Sequence, residues 1–298
     1  MIRLTQLGSV LPISGLLWLA APAAAQEVNP GALLASQTSA LEGALFQDRG
    51  GDPQPVDPKD LPDKREEIEQ LLDELKAHSK KRGAEDEACE PILERLAEEY
   101  PKSGPKDRKS ILGDVADLLT IKRKELSKDI PNERLHSFAA TMLGRMGEDA
   151  GPILAKHVGH KKLESKIKAH RAVVLALGVT KWEDGIKVLI TALDEDRPEV
   201  RAAAAEALGN YTGMEQKARK DIVEELIKVI VPIEETLEQN QQNPGTADIE
   251  QFQRDFDVMR APVRATLEAM TGTTNGSFRD WNAWWNDNKR KNWDEDRA

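Results

Sequence analysis

The sequence predicts an all-α fold, an α-solenoid (α-α superhelix) of stacked antiparallel helix pairs. Three observations carry that expectation. Two Tyr and five Phe in 298 residues leave little β signal, while Ala, Leu, Glu and Lys are abundant. Apolar residues recur at i, i+3, i+4 and i+7 in segment after segment. A helix-sized motif also recurs at a regular interval, which marks a stacked repeat array.

The first 25 residues read as a secretory signal. Arg3 precedes an apolar stretch from Leu7 to Ala20, and Ala23-Ala24-Ala25 offers the small-x-small pattern of a cleavage site. Pro12 interrupts the stretch and argues against a retained anchor, so cleavage after Ala25 and a periplasmic or secreted location are expected. No Cys near the site provides for a lipid anchor, and no later segment is apolar enough to span a membrane. Loss of Arg3 takes the formal net charge from −10 to −11. That acidity disfavours nucleic acid and anionic membranes as partners.

Residues 26–60 hold Gly50-Gly51, Pro53, Pro55 and Pro58 and read as a flexible leader. A short helix from Pro30 to about Phe46, with Asn29 as N-cap, is the one element the pattern permits there. Residues 61–298 are expected to form the solenoid, beginning with divergent helices over 61–130. Ile68, Leu71, Leu72 and Leu75 make the first stripe; Cys89, Ile92, Leu93, Leu96 and Tyr100 make the second. The third helix is expected over about 106–126, from Ile111, Leu112, Val115, Leu118 and Leu119. Cys89 is the single cysteine and is expected to be a buried thiol, the alternative being a bridge between chains.

The repeats are expected over 131–273. Leu135 to Gly144, Ala169 to Gly178 and Val200 to Gly209 align without gaps, and Val263 to Gly272 is a fainter copy. The closing glycines are 34, 31 and 63 residues apart, so an enlarged or divergent unit fills the last interval. Those glycines suit the left-handed position that ends a helix. A second helix over 182–193 presents Ile186, Leu189, Ile190 and Leu193.

The stretch LDEDRPEVRAAAAEALG, Leu193 to Gly209, resembles the HEAT-like repeat of the phycobilisome-lyase group, within the wider HEAT/armadillo-like class. The resemblance implies a right-handed stack of helix pairs offering a long surface to partners. It also implies structural roles for the acidic position, Glu195, and for the Arg position, Arg201 and Arg264, in bonds between neighbouring repeats. The Arg position holds His136 and His170 in the earlier copies.

His136 and His170 share one repeat position, which permits a titrating pair or two satisfied buried rings. His157 and His160 have a spacing that a metal can use, but Gly159 breaks the helix and no acidic or Cys partner accompanies them, so no metal or other cofactor is expected. Lys156, Lys161, Lys162, Lys166, Lys168 and Arg171 face Glu164 alone over 156–171, a net +5 in an acidic chain. Such a reversal of sign can guide an anionic partner, and the plainer reading is a solvated helix face.

Phe278, Trp281, Trp284, Trp285 and Trp293 crowd residues 274–298, which read as a Trp-rich C-terminal cap with indole N–H groups facing outward. The ending also resembles that of exported bacterial HEAT-repeat proteins. No nucleophile elbow, phosphate loop or Cys/His pairing is present, and no catalytic residue is assigned. The expected function is a non-catalytic exported scaffold or adaptor for another exported or envelope protein, acidic in character. The alternatives are a glycan- or peptide-binding module using the Trp cluster, and a lyase-like, bilin-handling enzyme by family analogy. The sequence leaves the oligomeric state open.

Overall fold

The structure, a computed structural model, describes residues 57–128, 130–242, 245 and 249–294. The expected signal peptide, and the leader with its short helix as far as residue 56, lie outside the described residues.

Eleven α-helices follow one another among the described residues. They are α1 Glu66–Ser79, α2 Asp86–Glu99, α3 Pro105–Asp117, α4 Arg134–Arg145, α5 Gly151–Val158, α6 Ile167–Thr180, α7 Gly185–Ala192, α8 Pro198–Leu208, α9 Gln216–Gln242, α10 Ile249–Thr271 and α11 Phe278–Asn288. No strand forms among those residues; one isolated bridge joins Ser127 and Ile130. The fold is all-α, with helices packed in neighbouring pairs.

The packing has two rows. In one, α2 touches α4, α4 touches α6, α6 touches α8 and α8 touches α10. In the other, α1 touches α3, α5 touches α7, α7 touches α9 and α9 touches α11. Between α3 and α5 the link is polar: the Tyr100 hydroxyl donates to Asp149 at 2.8 Å, and Arg108 reaches the same carboxylate at 3.3 Å. The core fills the space between the rows. Ile68, Leu72 and Leu75 are buried from α1, and Cys89, Ile92, Leu93 and Leu96 from α2. Ile186 and Leu189 do the same on α7, and Ile190 lies half-buried beside them.

The α4–α6–α8 row is close because its facing residues are small. A Cβ on Gly144 would stand 3.1 Å from the Ala176 Cα, and one on Gly178 would stand 2.6 Å from Ala207. These glycines lie inside α4 and α6, and Gly209 has a φ of −58°. Of the four closing glycines only Gly272, at φ +72°, takes the left-handed conformation. The other three recur in the motif for a different physical reason than helix termination: each makes room for the next helix of the row.

Gly209 in turn faces Thr266, whose Oγ1 would stand 2.9 Å from an added Cβ. Ala176 and Ala207 each precede their closing glycine by two residues, whereas Thr266 precedes Gly272 by six. The fourth copy therefore sits about one helical turn out of the register that its sequence alignment implies. The long interval between Gly209 and Gly272 holds one enlarged pair, α9 of 27 residues and α10 of 23.

The expected helix over 106–126 is shorter in the structure. It ends at Asp117, and residues 121–125 run outside any helix. Arg123 is the reason. Its side chain is 1% exposed, and its Nε lies 2.9 Å from the Asp86 carboxylate, itself 4% exposed. It also donates to the Ser79 carbonyl at 3.1 Å. Breaking such a buried pair costs about 3–5 kcal/mol.

Candidate functional site

The N-terminal ends of the α2, α4, α6 and α8 helices lie side by side, tied by polar side chains. Asn132, just before α4, donates to the Asp86 carboxylate of α2 at 3.3 Å, and Arg134 pairs with Glu87 and Glu90. The Glu133 carboxylate accepts from the Ala169 N–H in the first turn of α6 at 2.9 Å. Arg197, the residue before α8, reaches back to His170 at 2.8 Å and to the Glu164 carbonyl. Arg201 on α8 then pairs with Asp255 on α10. Helix N-termini carry partial positive charge, so this edge favours anions before any side chain is counted.

The three equivalent positions on this edge use different chemistry. His136 is fully buried, and its Nε2 lies against the Lys166 amine. His170 is buried, and its Nδ1 accepts from Arg197. Neither ring bonds to the other; each faces a cation from the residue that precedes the next helix of the row. Burial first, then Lys166 and Arg123, holds His136 down to about 3. Burial and then Arg197 push His170 below the usual histidine range. Both rings are neutral at pH 7. Glu195 pairs with Arg197 at 3.3 Å, not with Arg201. Arg264 stands apart from this row: it donates to the Asn275 and Gly276 carbonyls and lies 5.5 Å from the Phe278 ring centre. It anchors the turn that leads into α11.

The basic segment flanks the same edge. Leu163 is buried and pins the short 3-10 turn Lys161–Leu163, which leaves its two lysines outside. The His160 ring accepts from the Lys162 N–H at 3.2 Å and caps that turn. Lys161, Lys162, Lys168 and Arg171 are exposed, and Lys156 is exposed on the preceding α5. Lys166 differs, being half-buried. Ile167 beside it is 39% exposed, and Leu126 and Ile130, in the segment before α4, are 70% and 54% exposed. The sequence pattern places Leu126 at the end of a helix and draws no attention to Ile130. The early stop of α3 leaves both outside any helix.

His157 and His160 stack with ring centres 5.6 Å apart. His157 uses Nδ1 on the Ile153 carbonyl at 2.8 Å. Cys89 is buried, with its thiol directed at the Glu85 carbonyl and, through desolvation above all, pushed up to about 11. It is a core thiol and not an exposed bridge-former.

At the other end, Ser277 and Asp280 form a reciprocal capping box that starts α11. Trp281 is fully buried and Trp285 is 7% exposed; Trp284 is half-buried. Trp293 folds back onto Trp284 and Trp285, with ring centres 5.5 and 6.0 Å away. The Trp281 Nε1 does not face outward as the sequence suggests. It is buried without an acceptor among the described residues. Trp293 Nε1, in contrast, donates to the Asn288 carbonyl at 3.0 Å.

Compared with known proteins, the chain matches no protein-family model and no curated protein.

Proposed function

We propose that residues 61–298 form an α-solenoid of HEAT-like repeats, and that the protein is a non-catalytic exported scaffold that docks an acidic protein. The two-row packing and the repeated glycine contacts support the solenoid. The docking reading is carried by one observation. Lys161, Lys162, Lys168 and Arg171 stand in solvent, and no carboxylate lies within ion-pair distance of them among the described residues. They stand at the start of α6, whose N-terminus has no acidic residue in its first turn and adds partial positive charge. Exposed Ile167, next to Lys168, adds apolar contact beside the charges.

The Trp cluster supports a capping role better than a glycan platform. Stacking on a sugar needs an open ring face, and Trp281 and Trp285 turn theirs into the core.

The test is to capture partners from the protein's own envelope fraction, with Lys161→Glu/Lys162→Glu/Lys168→Glu in parallel. One specific acidic protein, weakened by salt and lost in the charge-reversed variant, is the expected result. Equal capture by both forms would remove this surface from the proposal, and capture by neither would remove the adaptor function.

A further inference from the structure

One lysine of the basic segment is unlike the others. Lys161, Lys162 and Lys168 stand in solvent, but Lys166 is half-buried with its Nζ against the neutral ring of His136. We propose that Lys166 is a selectively nucleophilic amine that takes a small anionic aldehyde as an imine.

Burial and two neighbouring cations disfavour the positive charge of this amine, against one carboxylate that favours it. Arg123, from the segment after α3, and Lys162, from the turn before α6, both repel it. The Glu133 carboxylate, which also accepts from the Ala169 N–H, faces it from the start of α4 and opposes them, but burial outweighs it. Lys166 is itself the N-cap residue of α6, where the helix dipole opposes a cation. Its hydrogen-bond partner, His136, accepts without offering a counter-charge. Burial acts in the same direction and is the largest cause of the lowered amine pKa. A lysine desolvated beside other cations is the usual route to a nucleophilic amine near neutral pH.

The same groups draw an anion. Arg123 Nη2 and His136 Nδ1 are buried and lack a partner among the described residues. Lys162 and the α6 N-terminus add positive potential. A ligand with a carbonyl carbon for the amine and a carboxylate or phosphate for the surrounding cations therefore fits. In the reaction the amine lone pair forms a bond to the carbonyl carbon. The carbinolamine then loses water, which carries off the carbonyl oxygen and both amine hydrogens, and a C=N bond remains. No oxidant or reductant takes part.

The proposal does not rest on the docking function. Docking is assigned to Lys161, Lys162, Lys168 and Arg171, so Lys166→Arg removes the imine without altering those residues. The experiment treats the full chain with pyridoxal 5′-phosphate at pH 7.5, traps imines with borohydride, and assigns adducts by peptide mass mapping. Propanal serves as the uncharged probe. Lys166 is expected to be labelled roughly tenfold faster than Lys161, Lys162 or Lys168. Lys166→Arg is expected to lose the main adduct with an unchanged circular dichroism spectrum. Labelling spread evenly over the exposed lysines would overturn the proposal. Equal preference for Lys166 with propanal and with the phosphate-bearing aldehyde would overturn its anionic half.

Discussion

Arg201 on α8 pairs with Asp255 on α10 at the repeat position where His136 and His170 face Lys166 and Arg197. Both partners of this pair are mostly buried, at 14% and 13% side-chain exposure. Gln251 donates to the second carboxylate oxygen at 2.6 Å, which holds Asp255 in place. Removing one partner strands the other charge. Arg201→Met is therefore expected to destabilise by about 2–3 kcal/mol, somewhat below the range for fully buried pairs. Arg201→Met/Asp255→Leu is expected to cost less than the single change. Urea unfolding of both variants measures this, and a double variant weaker than the single one would show that the pair is not coupled.

The histidines predict a pH effect with a definite sign. An unfolded histidine titrates near 6.5, and folded His136 is held to about 3. Between those values the unfolded chain binds more protons, so stability falls as pH drops. The contribution of the neutral ring is complete above about pH 6.5 and declines toward pH 3, at roughly 1.4 kcal/mol per pH unit at most for one proton. His170 is shifted in the same direction and adds to the effect. His136→Gln/His170→Gln retains an acceptor for Lys166 and Arg197 and removes the titration. Its urea midpoint is expected to change less between pH 7 and 5 than that of the parent protein, and the parent's His136 ring signal should stay constant over that interval by NMR. Titration of the His136 ring in that interval, or of the His170 ring at or above the ordinary histidine value, would refute the assignment for that ring.

Much of the fold was legible in the sequence because burial follows periodicity. The stripes from Ile68 to Leu75 and from Cys89 to Tyr100 pack as their spacing implies. What was not legible depends on partners distant in sequence. Nothing local says that Arg123 must reach Asp86, so the end of α3 could not be placed. The closing glycines were visible as a motif, but their purpose lies in Ala176, Ala207 and Thr266 on other helices. The basic segment was visible as composition. The distinction between Lys166 and its exposed neighbours needed the His136 contact, 30 residues earlier in the chain.

The glycine contacts predict a graded response to alanine. In a helix interior alanine is intrinsically better than glycine by about 1 kcal/mol. At Gly178 that gain is outweighed, because the new methyl would meet the Ala207 backbone oxygen at 2.6 Å and its Cα at 2.7 Å. Backbone on both sides leaves no flexible group to yield. Gly178→Ala is expected to destabilise by about 1–3 kcal/mol. Gly144→Ala meets its neighbours at 3.1–3.2 Å and should cost less. Gly213→Ala meets nothing within 4 Å and should stay within about 0.5 kcal/mol of the parent. Thermal unfolding of the three variants orders them, and a Gly178 variant as stable as the Gly213 variant would show that the α6–α8 approach is looser than described.

Trp281 separates a packing role from a polar one. Its ring is fully buried in the cap, and its N–H has no acceptor among the described residues. Truncation removes a large buried surface and leaves a cavity, so Trp281→Ala is expected to cost about 3–5 kcal/mol. Phenylalanine keeps much of the ring and also removes a buried donor that has lost its water. Leaving such a donor unsatisfied costs about 1–3 kcal/mol, which offsets part of the smaller cavity. Trp281→Phe should therefore lose less than half of what Trp281→Ala loses. Urea unfolding gives the two values, and hydrogen exchange in α9 and α11 locates the loosening, since those two helices pack on each other. A phenylalanine variant as unstable as the alanine variant would mean that the indole N–H makes a bond that matters, and the cap would then be polar at its centre.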